Sequence, residues 1–149
     1  MKAKRILLII GMGAIFVLTS CIRQATEEPS PFGPASSYLT FTFEARPNVL
    51  YATSERATSE IRATVKRGGS PVKDATVYFS ILYGPGFFSD YSTRIAVLTN
   101  EVGVASITYY SPTKYEIGYD QDVCLRAQLE TSTPEYMHKE LFIHILVAD

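Results

Sequence analysis

An alternation of apolar and polar residues with a period of two, beginning at Tyr38, is the feature that most restricts the fold of this chain. Such alternation predicts β-strands that bury one face, and no segment after Tyr38 shows a convincing helical period. Two further stretches alternate less regularly but are rich in β-branched and aromatic residues, which favour strands. The predicted strands cover residues 39–44, 61–66, 75–81, 93–99, 104–110, 123–130 and 140–147. About seven short antiparallel strands in a domain over residues 38–149 are typical of an all-β, immunoglobulin-like β-sandwich.

The segments between these strands carry glycine and proline in a characteristic order. Residues 69–79 read GSPVKDATVYF, residues 84–89 read GPGFFS, and residues 98–107 read LTNEVGVASI. They are similar to three features of the bacterial Ig-like domains of the invasin and intimin type (Big-1): a Gly-x-Pro-Val turn before an Ala-x-Val-x-Phe strand, a glycine-rich step, and a Thr-Asn-x-x-Gly-x-Ala hairpin. The resemblance implies the β-sandwich fold, together with a binding, adhesion or structural role.

A transthyretin-like domain of the carboxypeptidase-regulatory type is the alternative fold. Its Gly-x-Pro-x-x-x-Ala-x-Val strand is similar to residues 69–77, but its later hairpin usually has an aromatic residue where Val104 and Ala105 follow Gly103 here. The invasin-type interpretation is therefore favoured. It predicts a hairpin turn over residues 100–103 and positive φ angles at Gly69 and Gly103.

The first twenty residues have the organisation of an export signal. Lys2, Lys4 and Arg5 precede an apolar run over residues 6–18, and small residues lead to Cys21. The sequence Leu-Thr-Ser-Cys at 18–21 resembles a bacterial lipobox. This resemblance implies a lipoprotein signal peptide over residues 1–20 and a lipidated Cys21, whose acyl chains (palmitate, for example) would hold the protein in a membrane. A transmembrane helix is the alternative, but it needs roughly 20 apolar residues.

Residues 21–37 are predicted to form a tether between the lipid and the domain. They contain three prolines and no periodic apolar pattern, and proline stiffens a linker toward extended geometry. Ile22, rather than Asp, follows the lipobox cysteine, which favours the outer membrane if the cell is Gram-negative. We therefore expect a cell-envelope location, with the domain in the periplasm or on the cell surface.

Charge and cysteine content restrict the partners. Removal of residues 1–20 takes three of the 14 basic residues and none of the 15 acidic ones, so the remaining chain carries a net charge of −4. An acidic chain without a basic cluster argues against nucleic acid as a partner. If Cys21 carries lipid, Cys124 has no partner within the chain. We predict that Cys124 is a tolerated strand residue, with pairing between molecules as the alternative.

No constellation of residues in the sequence indicates catalysis or a cofactor, which favours a non-enzymatic protein. His138 and His144 share parity on the last strand and are predicted to be solvated, because a metal site needs more ligands close by. Asp120 and Asp122 offer oxygen ligands for calcium, but a polar strand start explains them as well. We therefore expect neither a metal site nor a cofactor.

Two loops, over residues 83–91 and 109–119, are crowded with aromatic residues. If the seven strands alternate in direction, both loops lie at the end of the sandwich opposite the tether. The prediction is that four tyrosines form part of a membrane-distal contact surface, because tyrosine combines apolar area with a polar tip: Tyr83, Tyr91, Tyr115 and Tyr119. The alternative is that these loops serve packing, with Phe87 or Phe88 in the core and Tyr119 as a tyrosine-corner residue.

Taken together, the sequence predicts a lipid-anchored, non-enzymatic envelope protein with one Ig-like domain. Its partners would be the membrane, through the lipid on Cys21, and a protein or glycan of unknown identity. The alternative is an accessory subunit of an envelope assembly, docked through sheet edges or loops.

Overall fold

The computed structural model describes residues 38–131 and 137–148. The predicted signal peptide, the tether and the lipidation site Cys21 lie outside these residues. Within the described chain the fold is all-β, and none of its segments forms a helix able to cross a membrane.

Ten strands form in the described chain, and seven of them correspond to the predicted strands. In chain order they are β1 (Leu39–Arg46), β2 (Val49–Ala52), β3 (Thr58–Arg67), β4 (Ser70–Pro71), β5 (Thr76–Tyr83), β6 (Phe87–Phe88), β7 (Arg94–Leu98), β8 (Val104–Tyr110), β9 (Gln121–Leu129) and β10 (Met137–Val147). The three strands that were not predicted, β2, β4 and β6, have four, two and two residues. They are too short for alternation to reveal them.

The strands are arranged in two sheets, which confirms the predicted β-sandwich. Sheet one has the order β1-β3-β8-β6, with β4 also paired to β3, and sheet two has the order β2-β10-β9-β5-β7. β1 runs antiparallel to β3 in sheet one, whereas β2 runs parallel to β10 in sheet two. The first part of the chain therefore contributes a strand to each sheet.

The core lies between the sheets and is built from the inward residues of the long strands. Phe79, Leu125 and Ile143 are buried there from three neighbouring strands of sheet two. Ala63 and Ala105 are register partners on β3 and β8 in sheet one, and both are completely buried. Small side chains at these positions let the facing sheet approach, and burial of each large apolar side chain contributes about 1.5–3 kcal/mol.

The turn over residues 100–103 forms as predicted, but it does not join a hairpin. Gly103 N–H donates to the Asn100 carbonyl at 2.9 Å, and the Asn100 side-chain oxygen accepts from Val104 N–H at 3.0 Å. However, β7 belongs to sheet two and β8 to sheet one, so the expectation of a paired hairpin is wrong. Each strand pairs with a different partner. β8 pairs with β3, where Val65 N–H also donates to the Gly103 carbonyl at 2.8 Å, and β7 pairs with β5.

Gly69 and Gly103 adopt the positive φ angles that were expected, 84° and 73°. At Gly103 the requirement is also steric, because a Cβ there would lie 2.5 Å from the Val65 carbonyl oxygen. This glycine therefore allows the turn to approach β3 closely.

Candidate functional site

The two aromatic loops meet at one end of the sandwich, which we call the loop pole. Tyr83 at the end of β5 is the register partner of Cys124 near the start of β9. Tyr110 at the end of β8 pairs with Thr58 at the start of β3. At the opposite end, Leu39, where the chain enters the sandwich, pairs with the last residue of β3. The loop pole is therefore the end farthest from the point where the chain enters the domain.

The short strand β6 determines which aromatic residues face outward at the loop pole. Phe87 and Phe88 pair with Tyr110 and Tyr109, and adjacent residues of a strand point to opposite faces. Phe88 is completely buried, whereas Phe87 is only partly buried. The packing alternative is thus confirmed for Phe88, and Phe87 is available for another role.

Phe87 is the centre of an aromatic group that we call the Phe87 platform, formed by Phe87, Tyr91 and Tyr110. The ring centroids of Tyr91 and Tyr110 lie 5.2 and 5.7 Å from that of Phe87, with interplanar angles of 27° and 19°. The guanidinium carbon of Arg56 lies 4.9 Å from the Phe87 centroid, in cation–π contact. Together with Ser89, these side chains line a pocket of about 260 Å³, the Phe87 pocket.

Arg56 is held over Phe87 by its own hydrogen bonds. One terminal nitrogen donates to the Ser111 carbonyl at 3.0 Å, and the other donates to Glu116 Oε1 at 2.5 Å. The second oxygen of Glu116 accepts from Thr113 N–H at 2.7 Å. The Thr113 N–H, together with Arg56, lowers the pKa of Glu116, so the carboxylate stays charged and balances the guanidinium.

The loops that carry these groups are joined by hydrogen bonds from the main chain. Ser111 N–H donates to the Ala57 carbonyl at 2.8 Å, and Ala57 N–H donates to the Ser111 hydroxyl at 3.0 Å. Lys114 N–H donates to the Thr53 carbonyl at 2.8 Å. Because Ser111 is completely buried, these bonds are shielded from water. The β2–β3 and β8–β9 loops therefore form a preorganised surface.

Tyr91 has an unusual backbone conformation for its residue type. Its φ is +63°, in the left-handed region, which non-glycine residues seldom occupy. Two main-chain hydrogen bonds hold it there. Tyr91 N–H donates to the Phe88 carbonyl at 2.8 Å, and Phe88 N–H donates to the Ser92 carbonyl at 2.9 Å. The Tyr91 side chain is 83% exposed, so burial does little to offset a strain of about 1–2 kcal/mol. Such strain concentrates at functional sites.

Tyr83 belongs to a second aromatic group, on the outer face of sheet two. Its ring centroid lies 6.2 Å from that of Phe142, and Cys124 lies between them in the strand register. Cys124 is a free thiol with only 1% of its surface exposed, although it faces outward from β9. Burial raises the pKa of this thiol. Tyr83 and Phe142 thus cover Cys124, as expected for a packed strand residue.

Tyr115 and Tyr119 lie in the β8–β9 loop and are 79% and 71% exposed. Lys114 Nζ lies 6.0 Å from the Tyr115 ring centroid. The exposure of Tyr119 shows that the tyrosine-corner alternative is wrong, because that motif needs a side chain packed against the backbone. Among the described residues, no ring contact joins any two of the four predicted tyrosines. Of the four predicted tyrosines, Tyr91 belongs to the Phe87 platform. The other three, Tyr83, Tyr115 and Tyr119, lie outside it.

Of the polar residues that were considered as metal ligands, Asp120, Asp122 and His144 make hydrogen bonds within the domain. Asp120 accepts from Val147 N–H at 2.8 Å, and Asp122 contacts His144 Nδ1 at 2.6 Å. His138 is exposed on the same strand as His144. In the part of the chain that the structure describes, no three His, Cys, Asp or Glu side chains are grouped so that they could hold a metal ion.

Comparison with known proteins identifies the fold. No protein-family model matches the chain, and no curated protein sequence is significantly similar to it. Among solved structures, the D00–D0 domain of intimin is similar with a TM-score of 0.52 and 17% identity, over 72% of this chain and 48% of that one. The fold is that of an intimin-type Ig-like domain. AggA, the major subunit of aggregative adherence fimbriae type I from Escherichia coli, is similar with a TM-score of 0.51 and 10% identity, over 76% of this chain and 97% of AggA.

This assignment confirms the fold that the turn sequences implied. The chain spans about half the length of the intimin structure that it matches. In this β-sandwich the two sheets are the scaffold, and loops on a rigid scaffold are where binding residues are most often found. The Phe87 pocket lies in such loops.

We expect replacement of Glu116 by Gln to loosen Arg56 and to lower the unfolding midpoint of the domain at pH 7. The variant loses the charged acceptor that both Arg56 and Thr113 use. Because folding lowers the pKa of Glu116, its contribution to stability is present above about pH 4.3 and is lost as the pH falls through the folded pKa. Urea titrations from pH 7 to pH 3 should show the difference from wild type shrinking. A difference that is constant with pH would contradict this account.

Replacement of Tyr83 by Ser is expected to expose the Cys124 thiol without unfolding the domain. The reaction of Cys124 with a disulfide reagent should become at least about tenfold faster, because thiol reactivity follows access and thiolate content. Cys21→Ser removes the other cysteine, so the assay reports one thiol. Tyr115→Ser, at a tyrosine that is also exposed but lies in the β8–β9 loop, is the control and should leave the rate unchanged. An unchanged rate in Tyr83→Ser would show that Tyr83 does not cover the thiol.

Proposed function

We propose that this protein is a non-enzymatic binding protein of the bacterial cell envelope, anchored by lipid on Cys21 and directing its loop pole toward a partner. The observation that carries the proposal is the preorganised Phe87 pocket at the end farthest from Leu39. Its most exposed residue, Tyr91, is held in a strained backbone conformation by hydrogen bonds of the turn after β6. A surface of this kind is better explained by contact with a partner than by stability.

The position of the pole agrees with a role away from the membrane. The chain enters the sandwich at the opposite end, and sixteen residues separate Cys21 from Tyr38. At about 3 Å per residue for an extended, proline-containing linker, the tether reaches roughly 50 Å. With a tether of this length, a lipid at Cys21 would leave the loop pole free to reach a partner.

The chemistry of the pocket supports binding rather than catalysis. Its described lining consists of one guanidinium, three aromatic rings and one serine hydroxyl, and Arg56 is already paired with Glu116. This set offers no histidine, cysteine or carboxylate to activate the serine as a nucleophile. The two similar structures, an intimin domain and a subunit of adherence fimbriae, agree with a binding role.

A second function, docking as an accessory subunit of an envelope assembly, is favoured by the outer face of sheet two. Tyr83 and Phe142 are 54% and 45% exposed and in contact. Tyr51, on the edge strand β2, is 59% exposed on the same sheet. Aromatic residues exposed on a sheet and beside its edge suit contact with another protein.

The anchoring part of the proposal is tested with the Cys21→Ser variant in cells. Wild type should incorporate a labelled fatty acid and fractionate with membranes, whereas Cys21→Ser should do neither. Protease treatment of intact cells, with a periplasmic protein as control, then locates the domain. Cleavage within residues 21–37 supports an outward-facing binding protein. Protection until the envelope is breached favours the assembly subunit. Labelling of the Cys21→Ser variant would refute lipidation at Cys21.

A further inference from the structure

We propose that the Phe87 pocket binds one neutral pyranose ring of a glycan. This inference rests on the proposed binding function and names the class of ligand. It follows from four properties of the pocket: its size, its aromatic surface, its charge and its rigidity.

The size and the surface suit a single flat ring. A volume of about 260 Å³ is below the roughly 300–1,000 Å³ of pockets that enclose drug-sized ligands. The rings of Tyr91 and Phe87 are within 27° of parallel, and Tyr91 is almost fully exposed to solvent. The face of an aromatic ring carries a negative electrostatic potential. It therefore attracts the weakly positive C–H groups that line one face of a pyranose.

The charges in the pocket disfavour ionic ligands. A ligand cation stacked on Tyr91 or Phe87 would share the pocket with the Arg56 guanidinium, and the two positive charges would repel. A ligand anion would compete with Glu116, which is bound to Arg56 and stays ionised because its pKa is lowered. The pair is neutral as a whole, so a neutral ligand meets no net repulsion.

The polar rim matches the hydroxyl groups of a sugar. Arg56 keeps N–H donors beyond the two that contact Ser111 and Glu116. Ser89 and the tyrosine hydroxyls at positions 91 and 110 both donate and accept. A proline or phenylalanine side chain would use the rings but carries no polar group of its own for these partners. A sugar ring uses both the apolar and the polar parts of the pocket.

The rigidity of the pole reduces the cost of binding a small ligand. Hydrogen bonds join the β2–β3 loop to the β8–β9 loop, and two more hold the backbone at Tyr91. They fix the Phe87 platform before a ligand arrives. Preorganisation of this kind matters most for weak ligands, because little binding energy is spent on ordering the site.

The test is saturation-transfer NMR on the full chain in a detergent without a sugar head group. The probes are the methyl β-glycosides of glucose, galactose, mannose and N-acetylglucosamine. At least one should bind saturably in the millimolar range, with the strongest transfer to the C–H protons of one ring face. Tyrosine fluorescence gives a second readout, because the chain has ten tyrosines and no tryptophan.

Two variants make the result specific to the pocket. Tyr91→Ser should weaken binding at least about tenfold, whereas Tyr115→Ser, at a tyrosine of similar exposure, should not change it. Tyr91→Asn checks folding, because asparagine tolerates the left-handed region better. It should lose binding and keep or raise the thermal midpoint. A fall in the midpoint would show that the Tyr91 ring is needed for packing and would contradict the inference.

Three further probes separate this inference from the proposed function. These are methyl sialoside, tetramethylammonium, and N-acetylproline amide as a peptide ring. Stronger binding of either charged probe would overturn the choice of a neutral ligand. Binding of N-acetylproline amide at Tyr91, without binding of any glycoside, would overturn the glycan and leave the proposed binding function standing. Absence of saturable glycoside binding would overturn the inference, while the labelling of Cys21 decides the anchoring part independently.

Discussion

Replacement of Gly86 by Ala is expected to lower the free energy of unfolding by about 2–5 kcal/mol, enough to leave the domain largely unfolded if its reserve is small. Gly86 has a φ of +103°, which a side chain rarely adopts. A Cβ at this position would lie 2.3 Å from the Tyr109 hydroxyl oxygen and 2.6 Å from the Tyr110 carbonyl oxygen. Neither can withdraw, because Tyr109 is completely buried and Tyr110 is paired with β6.

Gly118→Ala is the matched control, in the neighbouring β8–β9 loop. Nothing lies within 4 Å of a Cβ built on Gly118, so this variant should stay within about 0.5 kcal/mol of wild type. Urea unfolding followed by circular dichroism gives both values. Equal stability of the two variants would mean that the crossing from β5 to β6 can move, and that the loop pole is less fixed than described.

Much of the fold was predictable because its long strands are amphipathic. Alternation located five of the seven predicted strands, and β-branched and aromatic content located β7 and β8. The turn sequences pointed to an Ig-like topology. The short strands were missed for a physical reason: β4 and β6 have two residues each, and they are defined by their pairing with the end of β3 and with β8. The turn over residues 100–103 shows the same limit. Its local hydrogen bonds follow from Asn100 and Gly103, but the separation of β7 and β8 follows from contacts with β5 and β3.

The site was predictable only in part. The sequence located both aromatic loops, and the structure places them at one end of the sandwich. The sequence could not show that Tyr91 stacks on Phe87 while Tyr83 covers Cys124. This division of the tyrosines depends on where the chain crosses from one sheet to the other, at residues 84–86. Arg56 was missed altogether, since it lies in a short loop without a motif. The only sign of this site in the sequence was the adjacent pair Phe87 and Phe88, because one of two neighbouring strand residues has to face outward.

Replacement of Tyr109 by Phe is expected to lower the free energy of unfolding at pH 7 by about 1–3 kcal/mol. The Tyr109 hydroxyl donates to the Pro85 carbonyl at 2.5 Å, and Tyr109 is the largest completely buried side chain in the described domain. The variant keeps the ring but leaves the Pro85 carbonyl without this donor. Because Pro85 lies in the segment that carries the chain to Phe87, the loss should also weaken the loop pole.

The pH dependence of the same variant tests whether Tyr109 is shielded from water. Burial raises the pKa of Tyr109 well above its usual range, so its stabilising contribution is complete below about pH 10 and is lost as the pH rises toward the folded pKa. In that range the stability of wild type should fall more steeply than that of Tyr109→Phe, by up to about 1.4 kcal/mol per pH unit. Urea titrations from pH 7 to pH 11 should therefore show the two proteins converging. A constant difference over this range would mean that the phenol ionises in the folded protein as readily as in the unfolded chain, and that water reaches the Tyr109 hydroxyl.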